Sequence, residues 1–411
     1  MNTFFGLGIA PELLDTLAKL GYATPTPIQE KAIPHAIEGK DVMGIAQTGT
    51  GKTLAFGIPM IQRLAQTGGL GLVVLPTREL AVQVDTAIRK ISTKGTAVLI
   101  GGTSQGAQVQ ALRRKPRVII GTPGRINDLI EQKILDLSMV KVLVLDEADR
   151  MLDMGFAPQI KQILSAVSKE RQTMLFSATM PAEIVKLATG YMKLPIRVEI
   201  AQAGTAAELV AQELFVVGQH DKLRLLERLL LEYHGTVLVF SRTKYGAKKI
   251  SRAINQMGHK ATELHSNLSF GQRTRSMEGF RSGAYRILVA TDIAARGIDV
   301  SSIELVINFD VPAHAEDYVH RIGRTGRAGA TGRAITFAAP NQSREVRDIE
   351  RLIRTLIPIT KLPPLPPPRQ QVYVPEDDRR VYRARPSHQT RRPTHSPHSS
   401  ARGSRPRRFS R

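Results

Sequence analysis

The sequence predicts an α/β protein of two tandem domains, each a parallel sheet covered by helices, followed by a disordered basic tail. Three observations predict it. Short β-branched apolar runs alternate with amphipathic stretches of helical period, the pattern of a parallel sheet buried on both faces. The same rhythm occurs twice, on either side of a small, polar stretch. After about residue 360 the rhythm stops.

In the first half the strand-like runs are DVMGIA (41–46), GLVVLP (71–76), TAVLIG (96–101), RVIIGT (117–122), KVLVLD (141–146) and TMLFSAT (173–179). Between them, ELAVQVDTAIRKI (79–91) and PQIKQILSAVSK (158–169) repeat their apolar residues at helical spacing. Residues 200–211 are small and polar and are expected to form a linker. The second half resumes with ELFVV (213–217), TVLVFS (236–241), RILVATD (286–292), LVINFD (305–310) and RAITFAA (333–339). From KLPPLPPPRQQ (361–371) onward the chain is rich in Pro, Arg, Ser and His and cannot bury enough apolar surface to fold alone. The expected boundaries are therefore 1–205, 206–360 and a tail of 361–411.

Composition narrows the function. At 411 residues and 42% apolar, the chain can bury a sizeable core. The absence of cysteine excludes disulfides and thiolate-held zinc or iron–sulfur sites, and fits a reducing cytoplasm. The start, MNTFFGLGIA, has no basic region ahead of an apolar stretch, so no signal peptide is expected. No apolar run approaches the ~18 residues a spanning helix needs, and a soluble cytoplasmic protein is expected. The net charge is +22, of which residues 361–411 hold +10 through 13 Lys/Arg against 3 Asp/Glu. A basic body with a basic tail points to phosphate-rich partners, either nucleic acid or an anionic membrane surface.

AQTGTGKT (46–53) follows a strand-like run and precedes a helical one. Its glycines let a tight loop turn backbone N–H groups and a helix N-terminus toward phosphate. Ala46, Gln47, Thr48, Gly49, Thr50, Gly51, Lys52 and Thr53 are the expected cradle. Lys52 would reach the β- and γ-phosphates and the Thr53 hydroxyl would bind Mg²⁺. Ala46 stands where the usual pattern has glycine, a small departure. VLVLDEAD (142–149) is an apolar strand ending in two carboxylates, which sit on the ligand-binding edge of a parallel sheet. Asp146 is placed to hold Mg²⁺, largely through water, and Glu147 to orient and deprotonate the attacking water. A plain helix cap is the competing reading of these acids.

Taken in order, the chain contains GYATPTPIQ (21–29), AQTGTGKT, PTREL (76–80), GG (101–102), TPGR (122–125), DEAD (146–149), SAT (177–179), VFSRT (239–243), ATDIAARGID (290–299) and HRIGRTGR (320–327). Ten motifs in this order and spacing resemble the DEAD-box ATP-dependent RNA helicase family of superfamily 2 over about residues 4–340. The resemblance implies two tandem RecA-like domains. DEADRMLDMGF (146–156) and the brief N-terminus look most like bacterial RhlE-type members.

The resemblance also assigns roles. Gln29 would read the edge of adenine, for which an amide offers both donor and acceptor. Tyr22 resembles the adenine-stacking aromatic, with Phe4 packing behind it, in an N-terminal motif near residues 2–30. Asp299 resembles the ribose contact. Ser177 and Thr179 would link the Asp149 region to the second domain. His320 and Arg321 would contact the acidic motif of the first, and Arg324 and Arg327 resemble arginine fingers on the transferring phosphoryl group. Arg78, Gly102, Thr122, Arg125, Arg242, Thr243, Gln272, Arg275 and Thr291 match positions along an RNA path, making phosphate and sugar contacts with little sequence readout.

The activity implied is RNA-stimulated ATP hydrolysis coupled to local unwinding of short duplexes. The alternatives are an RNA-annealing or clamping factor that uses ATP as an affinity switch, and a DNA translocase. The partner expected is structured RNA, with possible membership of ribosomal-precursor or RNA-decay assemblies. The chain is expected to be a monomer with no membrane association.

Overall fold

The computed structural model describes residues 3–47, 49–92, 94–200, 210–292, 303–326 and 332–367. These form one compact unit ending at Pro367, built on two all-parallel sheets. The first contains β1 (Val42–Ile45), β2 (Leu70–Val74), β3 (Thr96–Leu99), β4 (Val118–Gly121), β5 (Val140–Leu145), β6 (Gln172–Ser177) and β7 (Ile196–Glu199). Their order across the sheet is β3-β4-β2-β5-β6-β1-β7. The second contains β8 (Val210–Val216), β9 (Val237–Phe240), β10 (Ala261–Leu264), β11 (Ile287–Ala290), β12 (Leu305–Asn308) and β13 (Gly332–Ala338), in the order β10-β11-β9-β12-β13-β8.

Alternate residues of each strand enter opposite cores, so each sheet carries two apolar layers. In the first domain Val73, Val142, Val144 and Phe176 face helices α2 (Pro27–Ile37), α3 (Lys52–Thr67) and α4 (Arg78–Ile91). Leu72, Leu143, Leu145 and Leu175 face α6 (Pro123–Glu131), α8 (Ala157–Ala166) and α9 (Ala182–Tyr191). The earlier helix α1 is Pro11–Lys19, α5 is Gln105–Arg113, and the short α7 is Ala148–Asp153. In the second domain Leu238, Leu288 and Val306 pack on Met277 and Phe280 of α12 (Phe270–Arg281). Val239, Val289 and Ile307 face α10 (Lys222–Glu232) and α11 (Lys244–Gln256).

Two strands escape the sequence pattern, β7 and β10, and both lie at a sheet edge. An edge strand buries less and carries charge. Arg197 and Glu199 of β7 pair with each other at 2.8 Å on the surface, and β10 reads Ala-Thr-Glu-Leu.

Two boundaries also move. Val210 and Ala211, expected in the linker, already belong to β8, because this strand pairs along its full length with β13. Residues 361–367, expected in the tail, lie against the second domain. Arg224 Nε donates to the Pro366 carbonyl at 2.6 Å, and Leu365 packs on the adjoining core. The rest of the expected tail, 368–411, lies outside the described residues, as does 201–209 of the linker. Among the described residues no helix is long and apolar enough to cross a membrane.

Candidate active site and nucleic-acid cleft

Strand order sorts the motifs. β5, β6 and β1 are neighbours, so DEAD, SAT and the phosphate loop emerge side by side at the carboxyl edge of the first sheet. β3, β4 and β2 form the other half, so GG, TPGR and PTREL emerge together beside them. Nucleotide chemistry and the expected RNA contacts therefore occupy adjoining halves of one sheet edge.

In the phosphate loop, Gly49 and Gly51 have φ of +85° and +90°, and Gly51 caps α3, whose first residues are Lys52 and Thr53. Lys52 is buried and its Nζ donates to the Ala46 carbonyl at 3.1 Å; Thr50 Oγ1 donates to the Gln47 carbonyl at 2.7 Å. Gln29 ties this loop to α2. Its Oε1 accepts from Thr26 N at 3.0 Å, completing a capping box, while Nε2 donates to the Gly51 carbonyl at 2.9 Å. Each end of the amide keeps further capacity for a ligand. Tyr22 stands 41% exposed after α1, whereas Phe4 is buried in the core beneath α2 and α3. Thr48 and Asp299 lie outside the described residues.

The acidic motif is deeply buried. Asp146 Oδ1 accepts from the Glu147 amide at 2.9 Å. Burial pushes the Asp146 carboxyl up to about 6; nearby Lys52 opposes this and Glu147 adds to it. Such a carboxylate favours a cation beside it. Among the described residues no cluster of three or more His, Asp or Glu could hold a metal. Asp146 with the Thr53 hydroxyl is a donor set that suits Mg²⁺ completed by phosphate and water oxygens. Glu147 adopts φ +54° at the N-cap of α7, and its Oε2 pairs with Arg150 Nη1 at 2.5 Å, both side chains buried.

Asp149 is gripped by SAT. Its Oδ2 accepts from the Ala178 amide (3.1 Å), the Thr179 amide (2.8 Å) and Thr179 Oγ1 (2.9 Å), and its own amide donates to Ser177 Oγ at 3.3 Å. Burial raises the Asp149 carboxyl, but the Thr179 hydroxyl, Lys52, the Thr179 amide and Arg150 outweigh it and hold it below the usual value. The Ser177 and Thr179 hydroxyls thus bind Asp149 within the first domain.

The second domain presents the helix Ala315–Ile322 and the turn after it. His320 Nδ1 lies 3.5 Å from Arg150 Nη2. Arg321 does not face the first domain, which corrects the expectation for it. It is 1% exposed and forks onto Asp292 (2.5 and 2.8 Å), with Nη1 on Asn308 Oδ1 and the Asp310 carbonyl and its guanidinium 5.0 Å from the Phe240 ring centroid. A guanidinium so fully engaged holds its own domain together. Arg324 is buried and donates from Nε to the His320 carbonyl at 3.2 Å; Arg327 lies outside the described residues.

The expected RNA residues divide. A cleft of about 530 Å³ is lined by Thr77, Arg78, Gly101, Thr122, Arg125 and, from the second domain, Arg273, among others. Gly102 has φ +75°, and a Cβ there would collide with the Arg78 guanidinium that covers it. Thr122 is the N-cap of α6, but its hydroxyl makes no cap bond, leaving it available. Arg125 is tied to Asp128 and to Gln108 Oε1 (3.2 Å). Thr243 caps α11 by accepting from the Gly246 amide, and Gln272 closes the capping box of α12 with Ser269. Arg275 is exposed, Thr291 half-buried, and Arg242 donates to the Val311 carbonyl at 3.0 Å.

Sequence reasoning missed three residues here. Arg273 Nε pairs with Glu79 Oε1 across the cleft at 2.9 Å, joining α12 to α4, and Arg150 joins Glu147 to His320. Helical spacing could have revealed Arg150, three residues after Glu147. The Glu79–Arg273 pair crosses domains and leaves no local signal.

Two RecA-type sheets, a phosphate loop on the first and His320 of the second within 3.5 Å of the arginine that follows its acidic motif define a two-domain P-loop ATPase. Residues 26–187 match the DEAD/DEAH box helicase family, and 221–329 match the helicase conserved C-terminal domain. The DEAD-box ATP-dependent RNA helicase CshA of Geobacillus kaustophilus is 44% identical over 371 residues, covering 89% of this chain and 79% of that protein. The ATP-dependent rRNA helicase RRP3 of Scheffersomyces stipitis is 42% identical over 370 residues, covering 88% and 76%. Among solved structures, S. cerevisiae Dbp5 bound to RNA and ADP BeF3 superposes with a TM-score of 0.78 at 29% identity, covering 88% of this chain and 96% of that one. Mss116p bound to ssRNA and AMP-PNP gives 0.80 at 27% identity, covering 87% and 78%. The chain belongs to the DEAD-box family and is an ATP-dependent RNA helicase. The RhlE-type likeness finds no support in these relatives, several of which are CshA proteins.

Proposed function

We propose that ATP and RNA together draw the two domains into the catalytic arrangement, and that hydrolysis resets it, so that short RNA duplexes are opened locally. The observation that carries this reading is the adjacency of the two motif sets on one sheet edge, bridged to the second domain at both halves: Arg150 to His320 on the ATP side, Arg273 to Glu79 on the RNA side. An element contacting both ligands couples their binding.

In this reading Lys52 and the loop amides hold the phosphates, and Gln29 and Tyr22 hold the base. Asp146 and Thr53 would hold Mg²⁺, which would supply neutralisation of phosphate charge. Glu147 orients the attacking water and accepts its proton, and Arg324 stabilises charge on the transferring group from across the gap. Asp299 and Arg327 keep their expected roles as ribose contact and second finger. Arg78, Gly102, Thr122, Arg125, Arg242, Thr243, Gln272, Arg275 and Thr291 line the path of the RNA backbone. The domain limits are 1–205 and 206–360, with the tail from 361 amended at its start by the contacts of residues 361–367. We place the protein in the cytoplasm, as a monomer acting on structured RNA such as ribosomal precursors or decay substrates. An intact Glu147 and Arg324 speak against a factor that only clamps RNA.

The test is RNA-stimulated phosphate release. Lys52→Ala is expected to weaken nucleotide binding and abolish turnover, and Glu147→Gln to bind ATP but not hydrolyse it. Near-normal turnover in Glu147→Gln would overturn the base assignment, and equal stimulation by DNA of the same length would overturn the substrate.

A further inference from the structure

We propose that Arg150 is a positioning residue that transmits domain closure to Glu147; the proposal rests on Glu147 being the base. Arg150 is 2% exposed, on a six-residue helix, between two partners from different domains. Its Nη1 holds Glu147 Oε2 at 2.5 Å, and its Nη2 lies 3.5 Å from Nδ1 of His320. The guanidinium is a rigid plane, so fixing one Nη sets the direction of the other. An arginine donates only, so His320 must accept at Nδ1 and carry its proton on Nε2.

The backbone of Glu147 sharpens this. At φ +54° the residue is in the left-handed region, which a non-glycine side chain enters only under strain. That turn, together with the i,i+3 spacing, brings the carboxylate over Arg150. With Oε2 taken, Oε1 is the oxygen that can address a water at the phosphate site. The His320 contact is at the outer limit of a hydrogen bond, so movement of well under an ångström between the domains makes or breaks it. The general base is thereby oriented by a residue whose second anchor belongs to the other domain.

A merely structural Arg150 would only neutralise a buried carboxylate, and lysine would replace it. Lysine keeps the charge but cannot fork. Arg150→Lys is therefore expected to lose roughly 10- to 100-fold in RNA-stimulated kcat, with KM for ATP and RNA affinity within about twofold of the parent. His320→Ala should show the same split, and the double variant should be no worse than the poorer single, since both break one chain of contacts. Thermal unfolding of Arg150→Lys checks that the variant is folded. Full turnover in Arg150→Lys, or losses that multiply in the double variant, would overturn the proposal. If Glu147→Gln itself turns over normally, the base reading fails; if Glu147→Gln is inactive and the pair is additive, only the relay fails.

Discussion

Asp146 shows what a buried carboxylate costs at the scale of one residue. It is 4% exposed, and burial lifts its carboxyl from 3.8 to about 6. A folded-state value above the unfolded one means that the folded chain holds this proton more tightly. Stability is then lost as pH rises from about 4 through 6, and the deficit is complete above that range. Asp146→Asn keeps the acceptor for the Glu147 amide without the charge. In magnesium-free buffer at pH 7.5 it should raise Tm by roughly 5 °C, and at pH 4 by little; calorimetry at both values checks the sign. The same substitution should abolish ATP hydrolysis. Arg324 predicts the opposite balance. Arg324→Ala should cut turnover on the order of 10³-fold while ATP affinity changes little, measured by single-turnover hydrolysis and nucleotide titration. Arg321, read from the sequence beside it as an interdomain contact, is a packed core cation instead. Arg321 lies on the helix and Arg324 in the turn after it, and the motif string does not say that the first of them forks onto Asp292 within its own domain.

At the scale of elements, Gln29 joins a helix start to a phosphate loop. It completes the cap of α2 through Oε1 and holds the Gly51 carbonyl through Nε2. Gln29→Glu retains an acceptor for Thr26 but sets a carboxylate against a carbonyl. The variant should unfold within about 1 kcal/mol of the parent, the scale of a capping bond, yet lose at least roughly tenfold in ATP affinity. Comparable losses in both quantities would refute this separation. Elements also explain which parts of the fold were legible. Central strands such as β5 and β9 are buried on both faces and read as unbroken apolar runs. β7 and β10 see the core on fewer sides, so Arg197 and Glu263 are tolerated and the signal fades. The phosphate loop and acidic motif were legible because their chemistry demands particular residues at fixed spacing. Arg150–His320 and Glu79–Arg273 were not, because contacts 170 and 194 residues apart arise only once two folded domains meet.

For the whole molecule, charge is the organising quantity. Residues 368–411 hold most of the excess cations of the C-terminal segment and none of the catalytic motifs. A chain ending at Pro367 should bind RNA more weakly and with a flatter salt dependence, by about 0.7 in slope per lost phosphate contact for single strands, while ATPase at saturating RNA is unchanged. Titration of labelled RNA at several salt concentrations checks this, and identical slopes would assign the charge to something other than RNA. Where the cut is made matters for a further reason. β8 is the outermost strand of the second sheet, and its free side is met by the chain that follows the helix Ser343–Ile353. The Leu214 amide donates to the Pro358 carbonyl at 2.9 Å, and its own carbonyl accepts from the Thr360 amide at 2.8 Å. This short strap is a guard against association. A chain ended at Ile357 would bare an apolar strand edge to any other strand in solution. It should self-associate with rising concentration by light scattering, while the chain ended at Pro367 stays dispersed.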